Sequence, residues 1–335
     1  MKGRSFLIAV VTISFLTGAI LLPGLAEAQK KPAGFPQRPL TIIVPYGPGG
    51  GSDQVARAIA SPLQDILGQP VQVVNKPGAS GRAAIPDFMT APADGYTIMQ
   101  HIDDCITHYA AGNLRVNPTE DWIPLAITQI TFSQLYIRPD DKRFSDWPSL
   151  LKYIKAHPGK VSFANVSGEG TMERVTMAIV EKKLGIKVNQ ISFDKPSERY
   201  AALIGGHVDV LFEQPGDVRQ FLAAKQMKPI LTFLEDRPKA FADVPSIKDL
   251  GVDMPALLRF RGFFVRKGVP ADRVKYLEAS FKKAYESPSY QKFNKSVYMD
   301  VVNSYRDRAG ALKLMKQTLA IYQQTYKELG LLKKK

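Results

Sequence analysis

The sequence predicts an α/β protein of two domains, each built on a parallel or mixed sheet with helices on both faces. Short apolar runs alternate along the chain with segments whose apolar residues have helical spacing, a pattern typical of strands joined by crossover helices. A unit of strand, glycine loop and helix occurs twice, about 120 residues apart. The 335 residues, less a predicted export signal of 28, leave 307, enough for two ordinary domains.

The first unit begins with the apolar, β-branched run Leu40–Val44, which ends at Pro45 and leads into a glycine loop. Apolar residues then recur at helical spacing over 55–66, which predicts a helix. The elements predicted next are a strand at Val71–Val74, a helix around Ala83–Met89 and a strand at Tyr96–Met99.

The second unit starts with a strand at Val161–Ala164, continues through a glycine loop at 167–171 and enters a helix, with Gly185 as its C-cap. Further strands are predicted at Gln190–Phe193, Val208–Phe212, Pro229–Phe233 and Phe260–Val265. Further helices are predicted at Arg199–Ile204, Val218–Ala224, Ala271–Glu286 and Asp307–Leu329. A cleft between the two domains is the expected site, because ligands of such sheets bind at the carboxyl ends of strands.

Composition excludes several classes of protein. With 45% hydrophobic and 23% charged residues the chain has the averages of a folded globular protein. The single cysteine, Cys105, excludes both a disulfide scaffold and a cysteine-rich zinc site. The net charge of +14 permits anionic partners of several kinds, but the basic residues are scattered, without an arginine-rich tract. Nucleic acid is therefore not expected as a partner.

The N-terminus has the pattern of a secretory signal. Lys2 and Arg4 precede the largely apolar stretch Ser5–Leu25, and Ala26-Glu27-Ala28 ends it with the small residues of a cleavage site. Cleavage would leave Gln29 first, a net charge of +13 and a periplasmic location. An uncleaved membrane anchor is the alternative, because the apolar stretch is long enough to span a bilayer.

The loop at 45–53, Pro-Tyr-Gly-Pro-Gly-Gly-Gly-Ser-Asp, is the most informative segment. Three consecutive glycines allow a ligand to approach the backbone, and the free amides of the following helix favour a carboxylate. The alternative is a glycine-rich turn in which Ser52 or Asp53 caps the helix. The loop lacks the lysine of a P-loop and the third glycine of a dinucleotide fingerprint, so no nucleotide or other cofactor is predicted.

The loop at 167–171, Ser-Gly-Glu-Gly-Thr, offers hydroxyls and free amides from the second half of the chain. Together the two loops would hold the two ends of a small acid. The alternative is an ordinary helix start capped by Thr171.

No set of residues in the sequence indicates catalysis. None of the histidines has the i,i+4 partner of a helical metal site, and Cys105 lacks a nucleophile signature, so neither an enzyme nor a metal site is predicted. His101 with Asp103 and Asp104 would suit a metal, although a loop histidine beside solvated acids is the commoner arrangement. The histidines are His101, His108, His157 and His207.

Three motifs in order along the chain resemble the Bug family, the extracytoplasmic solute receptors associated with tripartite tricarboxylate transporters. They are the loop at 45–53, the segment Val-Val-Asn-Lys-Pro-Gly-Ala-Ser-Gly at 73–81, and Ala-Asp-Gly-Tyr-Thr at 93–97. The likeness continues at 167–171, 203–210 and 243–246 and covers nearly the whole mature chain.

The resemblance implies a two-domain, Venus-flytrap periplasmic binding protein that is type II-like, each domain a mostly parallel sheet flanked by helices. After a signal peptide at 1–28, domain 1 would span 29–137, domain 2 would span 138–255, and 256–335 would return to domain 1. The family holds a carboxylate with backbone amides, hydroxyls and waters. The matching positions are Tyr46, Gly49, Gly50, Gly51, Ser52, Asp53, Ser167, Gly170 and Thr171. Asn75, Gly78, Ala79 and Gly81 match a motif near the cleft, where they would either contact the ligand or shape a turn.

The chain departs from the family's pattern at two places, Met172-Glu173-Arg174 and Phe193-Asp194-Lys195. Asp194 follows a strand end and is included among the expected ligand residues. It would meet an ammonium group of the ligand, be neutralised by Lys195 or Arg199, or be solvated. Glu213, just after another strand, raises the same question.

The expected function is that of a monomeric receptor for a small carboxylated molecule. Its partners would be membrane permease subunits or a sensor. The alternative is an exported enzyme acting on a small acidic metabolite in the same cleft. A binder of nucleic acid or surface polyanions would instead show affinity that collapses with salt.

Overall fold

The computed structural model describes residues 31–166, 168 and 170–330, and these form two five-stranded sheets with helices packed on them. The predicted signal peptide at 1–28 lies outside the described residues. The strands are β1 Leu40–Val44, β2 Val71–Asn75, β3 Thr97–Ile102, β4 Trp122–Thr131, β5 Gln134–Ile137, β6 Ser162–Val166, β7 Asn189–Phe193, β8 Val210–Glu213, β9 Lys228–Thr232 and β10 Arg259–Arg266.

The helices follow the strands in the alternation that the sequence predicts. They are α1 Gly51–Leu67, α2 Ile85–Thr90, α3 Asp104–Ala110, α4 Trp147–Ala156, α5 Met172–Leu184, α6 Pro196–Ile204, α7 Arg219–Ala223, α8 Ala271–Glu286, α9 Pro288–Ser296 and α10 Arg308–Leu329.

The two sheets share one topology. The first has the order β2-β1-β3-β10-β4 and the second the order β7-β6-β8-β5-β9. In each sheet the first three strands are parallel, and the fourth, β10 or β5, pairs antiparallel with both of its neighbours. Four strands of each sheet therefore run in one direction, which confirms the predicted α/β class. We call each sheet with its helices a lobe, the first lobe being the one that contains β1.

The chain crosses between the sheets twice. It leaves the first sheet after β4, which ends at Thr131, and enters the second at β5, which begins at Gln134. This crossing, between residues 131 and 134, precedes the domain boundary predicted at 137/138. The boundary itself stays a prediction. The chain returns to the first sheet at β10, inside the segment 256–335 that the resemblance assigns to domain 1.

Strand β4 escaped sequence-based detection because nearly all of it is buried. Of its ten residues, Ile123 alone is partly exposed. The alternation of apolar and polar residues that marks a half-buried strand is therefore missing. Its buried polar residues Thr128, Gln129 and Thr131 also interrupt the apolar run. By contrast, β1 and α8 have the predicted bounds, and α10 begins one residue after the predicted start.

Helix α10 joins the lobes. It packs against β4 and α3 in the first lobe and against α5 in the second. Its buried Tyr326 places the phenol oxygen 3.2 Å from the carbonyl oxygen of Thr107 and 2.5 Å from that of Gly170. Asp307 caps this helix by accepting a hydrogen bond from the Gly310 amide at 2.8 Å.

Candidate functional site

A narrow polar cavity of about 30 Å³ lies between the lobes, where β1, β6 and β8 end. Its walls come from the first glycine loop, the start of α6, the turn after β8 and the strand β10. The lining residues are Tyr46, Gly50, Gly51, Ser52, Ile102, Val166, Asp194, Pro196, Arg199, Glu213, Gln214, Asp217, Arg259 and Arg261. Five residues expected from the sequence are therefore brought to one place: Tyr46, Gly50, Gly51, Ser52 and Asp194.

Two larger depressions lie elsewhere and have different chemistry. A groove of about 840 Å³ runs between α5 and α10 and contains neither glycine loop. A cavity of about 520 Å³ borders α6 and includes Gly49, which thus lies outside the cleft lining. Among the described residues that line them, neither holds a buried ion pair, whereas the small cavity is lined by two, Arg199 with Glu213 and Arg261 with Asp217. The concentration of buried charge identifies the small cavity as the candidate site.

The first glycine loop needs its glycines because the second lobe lies directly against it. A Cβ on Gly50 would lie 2.6 Å from Cγ of Pro196, and one on Gly51 would overlap the guanidinium of Arg261 and the carboxylate of Asp217. Gly50 also provides the N-cap position of α1, in extended conformation. The loop therefore approaches the opposite lobe with its backbone, as a loop that binds through amides must.

Asp53 and Asn75 maintain the shape of this loop. The Asp53 carboxylate accepts the Gly49 amide at 3.0 Å and pairs with Arg57 at 2.9 Å. The Asn75 side chain donates to the Tyr46 carbonyl oxygen at 3.0 Å and accepts from Arg57 at 3.1 Å. Burial raises the pKa of Asp53, but the hydrogen bonds from Arg57 and Gly49 outweigh it and lower the pKa. Neither side chain lines the cavity.

The turn at Gly78–Ser80 joins the lobes next to the cleft. Its residues have left-handed backbone, with φ of 138° at Gly78, 48° at Ala79 and 58° at Ser80. The Ser80 hydroxyl accepts the Gly168 amide of the second glycine loop at 2.8 Å, and its carbonyl oxygen lies 2.9 Å from Nε2 of His108. Ser80 is thus a cross-lobe contact that the sequence did not single out, while Gly78 and Ala79 set its position.

The second glycine loop is fastened from within. Buried Thr171 occupies the N-cap position of α5, and its hydroxyl donates to the carbonyl oxygens of Val166 at 3.2 Å and Gly168 at 3.0 Å. The Gly170 carbonyl oxygen accepts from Tyr326. Neither Thr171 nor Gly170 belongs to the lining of the cavity. Ser167 lies outside the described residues.

Asp194 and Glu213 both line the cavity but differ in environment. Asp194 is exposed, and the two cations suggested as its partners have other carboxylates: Lys195 pairs with Glu198 at 2.8 Å, and Arg199 pairs with Glu213. Burial raises the pKa of Glu213, but the Arg199 guanidinium reverses this and holds the pKa below its ordinary value. Glu213 is therefore an ionised residue in the lining of the cavity.

Three buried arginines line the cavity: Arg199, which the sequence suggested only as a partner of Asp194, and Arg259 and Arg261, which the sequence did not reveal. Arg259 and Arg261 lie two residues apart on β10, so that both point to one face of the strand. Arg259 reaches Glu173 of the second lobe at 2.6 Å, and Arg261 reaches Asp217 at 2.5 Å. The detectable signal was the alternation of arginines with aromatic residues in the predicted strand at 260–265 and its flank.

Arg259 lies in a cluster of three buried carboxylates. Besides Glu173, Asp103 lies 3.5 Å away and Asp104 3.6 Å away. One guanidinium cannot neutralise three buried carboxylates, and burial raises the pKa of Asp103 to about 7 and that of Glu173 to about 8. Adjacent His101 is also buried, which lowers its pKa to about 4. The expectation of solvated acids beside a loop histidine was wrong, because His101 lies in β3, Asp103 and Asp104 lie at the start of α3, and all three are buried.

Within residues 31–166, 168 and 170–330, no group of three or more His, Cys, Asp or Glu side chains has an arrangement suited to a metal ion. Among the helices of the same residues, none combines the length and apolarity needed to cross a bilayer.

Two lobes of this topology with a polar cleft at the strand ends define the class of two-lobed solute-binding proteins. Within that class the chain belongs to the family described as "Tripartite tricarboxylate transporter family receptor", which matches residues 55–331. The resemblance to the Bug family is confirmed.

The "UPF0065 protein in gbd 5'region" of Cupriavidus necator is 30% identical over 340 residues, 99% of each chain. BugT of Bordetella pertussis is 30% identical over 251 residues, which cover 73% of this chain and 74% of BugT.

Solved structures agree with this assignment. A TctC solute binding protein from Polaromonas is 28% identical with a TM-score of 0.63, covering 88% of this chain and 99% of that one. MatC of Rhodopseudomonas palustris, with bound malate, is 22% identical with a TM-score of 0.78, covering 87% and 99%. Another R. palustris protein, with adipate, is 19% identical with a TM-score of 0.81, covering 88% and 98%. The last two establish a common fold.

The buried cluster around Arg259 makes stability depend on pH in a defined direction. The folded protein holds the Glu173 proton up to about pH 8, whereas the ordinary pKa is 4.5, so folding takes up a proton between these values. The contribution of Glu173 to the free energy of unfolding therefore falls as pH rises through this window, by up to about 1.4 kcal/mol per pH unit. Glu173→Gln cannot titrate, and we expect its stability relative to wild type to rise with pH.

Urea denaturation of both proteins between about pH 5 and about pH 8 measures this difference. Glu198→Gln, which removes an exposed carboxylate of the same lobe, controls for loss of a charge. Stability curves of wild type and Glu173→Gln that run parallel across the window would show that Glu173 is ionised in the folded protein.

Proposed function

We propose that this protein is an extracytoplasmic receptor that captures a small carboxylate between its two lobes. The observation that carries the proposal is the N-terminus of α1, where Gly50, Gly51 and Ser52 line the cavity. The first amides of a helix have no partners within the helix, and the helix dipole favours an anion there. Two proteins of the same fold hold small dicarboxylic acids, malate in one and adipate in the other.

The ligand enters only when the lobes separate. A cavity of about 30 Å³ admits a water or two, and a dicarboxylate needs several times that volume. The contact of Gly50 with Pro196 and the hydrogen bond from Gly168 to Ser80 close the cleft at two points. A ligand that contacts both lobes favours the closed arrangement through its differential affinity for it.

The remaining expected residues have supporting or peripheral parts in this proposal. Asp53, Asn75, Gly170 and Thr171 hold the loops in place through the contacts described above, and the left-handed backbone of Gly78 and Ala79 positions Ser80. Asp194, exposed at the cavity wall, would meet a positively charged group if the ligand carries one. Ser167 is proposed as a ligand contact on the motif alone.

The basic mature chain is proposed to act in the periplasm as a monomer, after cleavage of its signal peptide. It would deliver the carboxylate to the permease subunits of a tripartite tricarboxylate-type transporter, or present it to a sensor. A receptor returns its ligand unchanged, so recovery of unaltered malate or adipate after incubation separates this function from that of an exported enzyme.

N-terminal sequencing of the protein from its native host tests the export step. We expect Gln29 as the first residue of soluble material from the periplasmic fraction. Membrane-bound material beginning at Met1 would instead establish an uncleaved anchor.

Substitution in the glycine loop tests the binding step. Gly50→Val places its side chain against Pro196, so that the lobes cannot close over a ligand. We expect its affinity for malate or adipate, whichever binds to wild type, to fall by at least about tenfold in calorimetry. Gly47→Ala is the matched control, because its Cβ would lie 3.4 Å from Pro196, an ordinary contact. Equal affinities for Gly50→Val and wild type would remove this loop from the site.

A further inference from the structure

The pair formed by Arg261 and Asp217 crosses the cleft. Arg261 comes from β10 of the first lobe, and Asp217 from the turn between β8 and α7 of the second. Their charged groups are 2.5 Å apart, and both residues are buried, with 2% of Arg261 and 6% of Asp217 exposed. Both line the cavity. The pair is thus a contact between lobes made inside the candidate site.

The Asp217 carboxylate occupies the place where the proposed function puts an anion. A Cβ added to Gly51, the first residue of α1, would overlap both carboxylate oxygens of Asp217. The carboxylate therefore lies at the N-terminus of α1, in the field of the helix dipole and beside a guanidinium. These two features favour any carboxylate at this position, whether it belongs to the chain or to a ligand.

Arg261 is oriented for an anion independently of Asp217. Its Nη1 donates to Gln129 at 3.0 Å, and its Nη2 lies 3.3 Å from the side-chain oxygen of Gln214. Its Nε is buried and makes no hydrogen bond to any residue that the structure describes. The guanidinium thus retains a buried donor without a partner among the described residues after binding Asp217, and an oxygen of a second carboxylate would satisfy it.

We propose that Asp217 is an internal competitor for the ligand's carboxylate, and that the ligand displaces it from Arg261, which then binds the ligand. The proposal rests on the proposed function. It adds Arg261 as a residue that selects the ligand and Asp217 as a residue that opposes its binding. Since Asp217 is tethered beside Arg261, only the fraction of molecules in which it has moved away can bind. The apparent affinity is lowered by that fraction.

The turn that carries Asp217 also contacts the first lobe through Arg219, which donates to Gln54 of α1 at 2.5 Å. Within the turn, the Asp217 amide donates to the Gln214 carbonyl oxygen at 3.1 Å. Displacement of Asp217 by the ligand would therefore be transmitted to this turn. The ligand would then link the two lobes in place of the Arg261–Asp217 pair. Its carboxylate would lie at the N-terminus of α1, where the Asp217 carboxylate lies without ligand.

Calorimetric titration of Asp217→Asn with malate and with adipate tests the proposal. An amide of the same shape competes more weakly for a guanidinium, and we expect affinity about tenfold higher than that of wild type for the acid that binds. Arg261→Gln should lose affinity by about the same factor. Asp236→Asn, which removes the same charge from an exposed pair with Lys248, should bind like wild type.

If Asp217→Asn alone does not fold, the double variant Asp217→Asn with Arg261→Gln still tests the proposal, because it leaves no unpaired buried charge. We expect weaker binding than in wild type, since the receiving cation is gone. Wild-type or higher affinity of the double variant, or unchanged or weaker binding by a folded Asp217→Asn, would overturn the proposal and leave the receptor function intact. Absence of binding to either acid by wild type and all variants would overturn both.

Discussion

The two arginines of β10 are the interaction on which the closed cleft depends. Arg259 and Arg261 extend from one face of β10 to acidic residues of the second lobe, Glu173 and Asp217. Glu173 is protonated up to about pH 8, so Arg259 contacts it through a hydrogen bond, whereas Arg261 and Asp217 form an ion pair. Buried contacts of this kind add little net stability, since desolvation offsets their attraction, but breaking the ion pair leaves a buried charge at a cost of roughly 3–5 kcal/mol. Their main effect is to define how the lobes fit together.

The glycine loop follows from this arrangement. With Arg261 and Asp217 directly against Gly51, and Pro196 against Gly50, the start of α1 has no space for side chains. The same absence of side chains exposes the amides of α1 to a ligand. One constraint, close approach of the second lobe, thus explains both the packing of the loop and its proposed chemistry. Asp53 and Asn75 are needed for that packing, because they hold the loop from behind.

Local features were predictable from the sequence and long-range pairings were not. The strand β1, the helix α8 and both glycine loops are encoded by short patterns of apolar residues and glycine, which a single sequence displays. The partner of Arg259 is 86 positions away, and nothing near either residue indicates the pairing. Asp103, Asp104 and His101 illustrate the same limit. Their local sequence resembles a solvated loop, and only the tertiary structure, which places His101 in β3 and Asp104 in α3, shows that they are buried.

The structure of the protein crystallised with malate or adipate tests the central claim most directly, because it locates the carboxylate. The account predicts a ligand oxygen about 2.7–3.2 Å from the backbone nitrogens of Gly51 and Ser52, between the two lobes. The site would be wrong if the acid instead occupied the groove between α5 and α10, or the cavity beside α6, with the first glycine loop making no contact to it.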